Sequence, residues 1–110
     1  MQPIDPEKMA HELSVRGNDW ADKDAAFYAL DETKKDVLSN CIAMLNDPDM
    51  ALNKAEVEAR RLPQWAEHQK ALSAAKKALN LAKVSYTTYQ AYIELIRSRE
   101  ATNRAEMTLR

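Results

Sequence analysis

The sequence is poor in the residues that tight turns and many catalytic loops require. Glycine occurs once and cysteine once among 110 residues, and aromatic residues make up only 6%. Tight hairpin turns depend on glycine, and phosphate-binding loops and dinucleotide folds need several glycines close together. The composition therefore argues against β-barrels, β-sandwiches, P-loop enzymes and Rossmann domains.

Long hydrophobic runs are also missing. No stretch of 18 apolar residues occurs, so no transmembrane span is expected. The N-terminus lacks a basic segment followed by an apolar one, which argues against a signal peptide. Cys41 has no second cysteine to form an internal disulfide. Together these absences predict a cytoplasmic protein.

The residues that are abundant favour helices. Alanine, leucine, glutamate and lysine have high helix propensity, whereas only 27 residues are large and apolar (Val, Ile, Leu, Met, Phe or Trp). Alanine-rich faces suit helices that pack closely together or against a partner chain. We therefore predict a single all-α domain over residues 1–110, a helical hairpin or small bundle with one long C-terminal coiled-coil-like helix that assembles into a homo-oligomer.

The first half of the chain predicts two helices. A short helix over residues 5–15 begins with Asp5 as a cap and Pro6 in the first turn. Gly17 is then expected to end it in a left-handed conformation. The second helix is expected to run from about Trp20 to Leu45, with one apolar face, and to end at Asp47-Pro48-Asp49.

The second half predicts a short helix over about residues 53–61, capped by Asn53, and one long helix from Gln64 to about Leu109. In the long helix apolar residues recur at coiled-coil spacing and form a row that we call the seam. The seam stops after Ile96, so residues 97–110 are expected to fray or to serve another purpose. Its members are Trp65, His68, Leu72, Ala75, Leu79, Ala82, Tyr86, Tyr89, Ile93 and Ile96.

Charge is divided unevenly along the chain. Residues 1–53 carry 5 basic and 11 acidic residues, a net charge of −6, whereas residues 54–110 carry 11 basic and 6 acidic residues, a net charge of +5. The acidic N-terminal helices thus occupy about residues 1–50 and the basic long-helix region residues 51–110. Such a split indicates either a nucleic-acid face or an acidic helix whose charges pair with those of a basic helix.

Signals for catalysis are weak. His11 and His68 do not form a zinc-protease motif, and no Glu-x-x-His pair is present. His68 lies on the seam, where a structural histidine is expected rather than a metal ligand. Cys41 lies on an apolar face, which favours a buried, unreactive thiol. We therefore predict a protein that is not an enzyme and that uses no cofactor and no metal.

Basic residues of the long helix are the candidates for nucleic-acid contacts. Lys76 and Lys83 are seven residues apart, as are Arg97 and Arg104, and such a face can neutralise several phosphates. Tyr86 and Tyr89 are expected in the core, whereas Tyr92 lies off the seam and is available to stack on bases. The alternative is a solvated charged face. The candidate DNA-binding residues are Lys76, Lys77, Lys83, Tyr92, Arg97, Arg99 and Arg104.

Residues 51–86 resemble the UvsY-type recombination mediators of tailed phages. The resemblance rests on Glu58-Ala59 before Trp65 and His68, then the run Ala75-Lys76-Lys77-Ala78-Leu79, then Ala82-Lys83 and Tyr86. It implies an oligomeric, ring-like helical protein without catalytic residues, located in the host cytoplasm if the chain is phage-encoded. It also implies binding to single-stranded DNA and to a recombinase or single-strand-binding protein, with Lys76, Lys77 and Lys83 contacting phosphates.

The chain also departs from that family. The family breaks its chain after the Tyr-containing helix and adds a C-terminal assembly segment, whereas here the helix continues without glycine, and the acidic first 50 residues have no clear counterpart. Two other hypotheses therefore remain open. One is a small phage-encoded protein that inhibits a host or defence protein through its acidic N-terminal half. The other is a self-assembling coiled coil without a ligand.

Overall fold

A computed structural model of the protein describes residues 5–109. Residues 1–4, on which the expectation about a signal peptide partly rests, lie outside this range. About 90% of the described residues are helical, and no strand occurs among them, which confirms the all-α prediction. The four helices are α1 (Pro6–Glu32), α2 (Lys34–Leu45), α3 (Leu52–Ala59) and α4 (Pro63–Leu109).

The described residues fall into two compact units. Residues 5–22 and 80–109 form one, which we call the terminal unit, and residues 23–79 form the other, the central unit. The terminal unit contains the first part of α1 and the last part of α4. The central unit contains α2 and α3 together with the remaining parts of α1 and α4.

The start of α1 agrees with the sequence, but its predicted end does not. Asp5 Oδ1 accepts a hydrogen bond from the Glu7 backbone N–H at 2.9 Å, so Asp5 caps the helix that Pro6 begins. Gly17, by contrast, lies inside a continuous helix and has no positive φ. The predicted helix end at Gly17 was therefore wrong.

A close contact explains why glycine occupies this helical position. A Cβ atom at residue 17 would lie 3.3 Å from Cε2 of Tyr86 on α4, closer than most carbon contacts. Trp20, one turn further along α1, packs against the same ring with 5.4 Å between the ring centroids. The missing side chain of Gly17 thus allows α1 to approach α4 within the terminal unit.

This contact predicts how an alanine at position 17 will behave. In a helix interior, Gly→Ala stabilises by about 1 kcal/mol. In Gly17→Ala the crowded Tyr86 ring should cancel most of this gain, so the free energy of unfolding should stay nearly unchanged. In a Tyr86→Ala background the same substitution should stabilise by about 1 kcal/mol. Urea unfolding of the four proteins of this cycle measures the difference, and equal effects in both backgrounds would contradict the steric explanation.

The predicted second helix is divided at Thr33. α1 ends at Glu32 and α2 begins at Lys34, so a single helix from Trp20 to Leu45 was also wrong. The Thr33 hydroxyl donates a hydrogen bond to the Leu30 carbonyl oxygen at 2.9 Å. A threonine side chain that bonds its own backbone in this way competes with helical hydrogen bonds. Thr87, Thr102 and Thr108 make the same kind of bond within the uninterrupted α4, so this bond alone does not account for the break. The Leu30 carbonyl also lies 3.0 Å from Nε2 of His68 on α4.

The predicted stop after Leu45 is confirmed. Asn46 caps α2 in the left-handed conformation, with φ 51° and ψ 41°. The next helix has Ala51 as its N-cap residue, so the predicted cap at Asn53 was wrong, because Asn53 lies inside α3. Helices α2 and α3 pack together, and three small residues of these helices are buried, namely Cys41, Ala55 and Ala59.

The long helix matches its prediction closely. α4 runs from Pro63 to Leu109 without interruption, and every seam residue is buried or half-buried. The most enclosed seam residues are Leu79, Ala82, Ile93 and Ile96. From Arg97 to Leu109 every residue is exposed, although the segment is helical. The packed part of α4 therefore ends where the seam ends.

Candidate nucleic-acid interface

The seven predicted DNA-binding residues are all exposed, and they divide between the two units. Lys76 and Lys77 belong to the central unit. The other five belong to the terminal unit: Lys83, Tyr92, Arg97, Arg99 and Arg104. The terminal unit therefore presents the larger group of candidate residues to solvent.

In the central unit, Lys76 has a partner within the fold. Its Nζ lies 4.8 Å from the centroid of the Phe27 ring, an arrangement in which the cation is attracted to the aromatic face. Leu72 and Ser73 line the same shallow surface. Lys77, on the next position of α4, is exposed. Of these two lysines, Lys76 thus contributes to the packing of α1 on α4 within the central unit.

In the terminal unit, three basic residues form a row along one edge of the seam. Lys83 follows Ala82, and Arg97 follows Ile96, so both occupy the same position of the seven-residue repeat, which recurs at Arg104. We call Lys83, Arg97 and Arg104 the basic row. Arg104 donates a long hydrogen bond of 3.4 Å to the Glu100 carbonyl oxygen on its own helix.

The charges of this region are not neutralised by acidic side chains. Lys83, Arg97 and Arg99 form no ion pair with any residue from 5 to 109. The salt bridges at Glu12–Arg16 (2.7 Å) and Glu58–Arg61 (3.1 Å) each join residues of one helix or its adjoining turn. For these three basic residues, the interpretation that acidic and basic helices pair at their rims finds no support.

The tyrosines of α4 separate as the sequence predicts. Tyr86 and Tyr89 are half-buried on the seam, whereas Tyr92 is 53% exposed. The guanidinium of Arg16 lies 4.5 Å from the Tyr89 ring centroid, and the Tyr92 ring lies 6.0 Å from that of Tyr89. Tyr92 is therefore the tyrosine of the seam region with an accessible ring face.

Arg16 is a residue that the sequence analysis left without a role. Besides covering Tyr89, it donates a hydrogen bond to the Ser85 carbonyl oxygen at 3.3 Å and forms the 2.7 Å ion pair with Glu12. The Glu12–Arg16 spacing of four residues was the available signal. Arg16 thus faces the α1–α4 contact and is not part of the exposed basic surface.

His68 has the structural role that its seam position predicts. Its Nε2 lies 3.0 Å from the Leu30 carbonyl oxygen and 3.4 Å from the Thr33 hydroxyl, beside the break between α1 and α2. Because a carbonyl only accepts, Nε2 carries the proton. Nδ1 is buried without a partner. Within residues 5–109, no three His, Cys, Asp or Glu side chains are grouped as metal ligands would be.

One shallow groove of about 150 Å³ lies where the start of α1 meets α4 in the terminal unit. Sites for drug-sized ligands are typically about 300 to 1,000 Å³, so this groove is small for one. Arg97 and Glu100 stand at its edge. Its other lining residues are Pro6, Met9, Ala10, Ile93 and Ile96.

Comparisons with known proteins do not assign this surface. No protein-family model matches the chain, no curated protein is detectably similar to it in sequence, and no solved structure matches it. The resemblance to UvsY-type mediators therefore stays a prediction. Among the helices described here, none combines the length and the apolar character that crossing a membrane requires.

Proposed function

We propose that this protein is a non-enzymatic accessory factor of DNA recombination or replication that binds single-stranded DNA through the terminal unit. The observation that carries the proposal is the exposed charge of the basic row, whose members Lys83, Arg97 and Arg104 form no ion pair within residues 5–109. Cations that are not already neutralised within the protein are free to replace the counterions of a phosphate backbone. Tyr92 adds an exposed ring of the kind on which bases stack.

The proposed partners follow from the same assignment. Single-stranded DNA is the direct ligand, and a recombinase or a single-strand-binding protein is the proposed second partner, which rests on the resemblance to UvsY-type mediators. The protein acts as a homo-oligomer in the host cytoplasm if it is phage-encoded. Lys76 is assigned a smaller part, because it already packs on Phe27, whereas Lys77 stays a candidate phosphate contact.

Fluorescence anisotropy of a labelled oligothymidine tests the proposal. The wild-type chain should bind with a dissociation constant in the micromolar range at low salt. If three to four cations contact phosphates, a fourfold rise in salt concentration should weaken binding by about 20- to 50-fold. The variant Lys83→Glu/Arg97→Glu/Arg104→Glu should bind at least about 30-fold more weakly at low salt, with unchanged circular dichroism.

A matched variant distinguishes the effect of the basic row on binding from a general effect of net charge. Lys34→Glu/Lys35→Glu/Lys54→Glu makes the same change in net charge at exposed lysines of the central unit. It should weaken binding only a few-fold. Equal losses in the two variants would contradict the assignment to the basic row, and no binding by the wild-type chain at low salt would contradict DNA binding itself.

The second candidate is an interaction protein that binds a host or defence protein through its acidic half. The observation that favours it is a group of exposed carboxylates around the break at Thr33, namely Asp31, Glu32 and Asp36. Under this hypothesis Asp31→Asn/Glu32→Gln/Asp36→Asn abolishes binding to that protein. Under the DNA hypothesis the same variant keeps its affinity for oligothymidine or gains slightly, because negative charge is removed.

A further inference from the structure

α4 carries a second apolar row in the terminal unit, on the side opposite the seam. Leu81, Val84 and Leu95 are exposed by 61%, 59% and 50%, and Thr88 and Ala91 lie between them. We call these five residues the outer stripe. At 100° per residue they cluster on one side of the helix, while the seam residues Leu79 to Ile96 cluster on the other.

The spacing of the outer stripe is that of a helix–helix interface. Steps of three, four, three and four residues separate its members, which places Leu81, Thr88 and Leu95 at a positions and Val84 and Ala91 at d positions of a heptad repeat. Isolated exposed leucines need no explanation. A row at heptad spacing over two heptads, on a helix that is already folded, has the pattern that a second helix covers.

The charged flanks of the stripe identify that second helix. In the same repeat Glu94 occupies a g position and Arg99 the e position five residues later, the two positions that pair between parallel coiled-coil helices. Both side chains are exposed, and neither forms an ion pair with another residue of the described range. In a parallel, in-register pair of α4 helices, Glu94 of each copy meets Arg99 of the other.

An antiparallel pair lacks this complementarity. In an antiparallel pair, g positions face g positions and e positions face e positions. Glu94 then meets Asn80 or Thr87, and Arg99 meets Ala78 or Ser85. Neither charged side chain therefore meets an opposite charge. We propose that the outer stripe is the interface of a parallel homodimer in which two copies of α4 pack through Leu81, Val84 and Leu95. The Glu94–Arg99 pairs fix the direction and the register of the two helices.

The interface is of modest size. Two outer stripes together bury on the order of 1,000 Å², the lower limit for a specific interface. Association in the micromolar range is therefore expected. Because α4 is already helical, no ordering of the helix opposes association.

The dimer does not depend on DNA binding. In the repeat of the outer stripe, Lys83, Arg97 and Arg104 all occupy c positions, which lie away from the partner helix, whereas Tyr92 and Arg99 occupy e positions beside it. The basic row therefore remains exposed in the dimer. The variant that removes the basic row should still dimerise, so failure of the dimer and failure of DNA binding are separate results.

Sedimentation equilibrium of the full chain over a range of concentrations tests the proposal. The wild-type mass should rise from that of a monomer to twice that value. Leu81→Glu/Leu95→Glu should remain a monomer at all concentrations, whereas the matched control Leu52→Glu/Met107→Glu should dimerise like the wild type, because it places the same charges at exposed apolar residues that lie off the row of the stripe. A wild-type monomer throughout, or an unaffected Leu81→Glu/Leu95→Glu variant, would overturn the proposal.

Direction is tested with charges and with a cross-link. Glu94→Arg and Arg99→Glu should each weaken dimerisation at least tenfold, and the double variant should restore it, because the opposite charges face each other again. In a Cys41→Ala background, Leu81→Cys should form a disulfide between two copies under mild oxidation. If the Leu81→Cys chain cross-links only when mixed with a chain that carries cysteine at a d position, Ala91→Cys or Ser98→Cys, the helices are antiparallel and the proposed dimer is wrong.

Discussion

Tyr86→Ala is expected to lower the free energy of unfolding by about 2–3 kcal/mol. Removing a large aromatic side chain from a core costs about 3–5 kcal/mol, and Tyr86 is half-buried, which places the expected loss at or below the lower end of that range. Tyr86 joins the two helices of the terminal unit, because its ring contacts Trp20 and lies over Gly17. Gly17 has no side chain with which to fill the space that the ring would leave.

The matched control for this substitution is Tyr28→Ala. Tyr28 lies on α1, is 56% exposed, and its ring forms an edge-to-face pair with that of Phe27. Its loss should cost about 0.5 kcal/mol. Urea unfolding at one fixed protein concentration, followed by circular dichroism, compares both variants with the wild type. Similar costs for the two tyrosines would show that Tyr86 does not hold α1 on α4.

Ala59→Leu should destabilise the protein by about 3 kcal/mol, the upper end of the usual cost of overpacking a filled core. Ala59 is fully buried near the end of α3, and Ala55 on the same face is nearly so. Small side chains on this face permit the close packing of α3 on α2 that encloses Cys41. The additional carbon atoms of leucine have no free volume, so the helices must move apart or the side chain must leave its preferred rotamer.

Val57→Leu is the corresponding control, because it introduces the same side chain into the same helix at a position that is 48% exposed. It should change the free energy of unfolding by no more than about 0.5 kcal/mol. The unfolding midpoints of the two leucine variants therefore measure the tightness of the α2–α3 contact directly. Equal midpoints would mean that the face bearing Ala59 has room for a larger residue.

The long helix was predictable because its information is local and repeated. The seam shows the same spacing over several heptads, and no glycine or proline interrupts it, so periodicity alone separates its buried residues from the exposed ones. The stop after Leu45 was predictable for a similar reason, since Asp47, Pro48 and Asp49 lie within four residues of it. These features need no knowledge of what α4 or α2 packs against.

The two errors in α1 arose at residues whose conformation depends on contacts that the local sequence does not show. Glycine followed by asparagine and aspartate is typical of a helix end, but here the determining contact comes from Tyr86, which is distant in the sequence. Thr33 is an ordinary residue within a helical pattern, and the Leu30 carbonyl one turn before it contacts His68, which is distant in the sequence. Tertiary contacts and side-chain hydrogen bonds of this kind leave no periodic signal.

The candidate site was predictable in part for the same reason. Heptad position placed Lys83, Arg97 and Arg104 at the solvent-facing edge of the seam, and it placed Tyr92 outside the seam. The contact of Lys76 with Phe27 was not predictable, because it depends on how α1 and α4 are aligned within the central unit. The exposure of a charge follows from local pattern, whereas its partner follows from packing.

The exposed helical segment from Arg97 to Leu109 can respond gradually to a molecule that binds it. Forming a separate helix requires a costly nucleus, but this segment extends a helix that packing has already nucleated. Each further residue therefore joins or leaves the helix at little cost in free energy, and we expect the helix to fray from its C-terminal end. The number of helical residues in this segment therefore increases one residue at a time as the contact becomes longer. No all-or-none transition is involved.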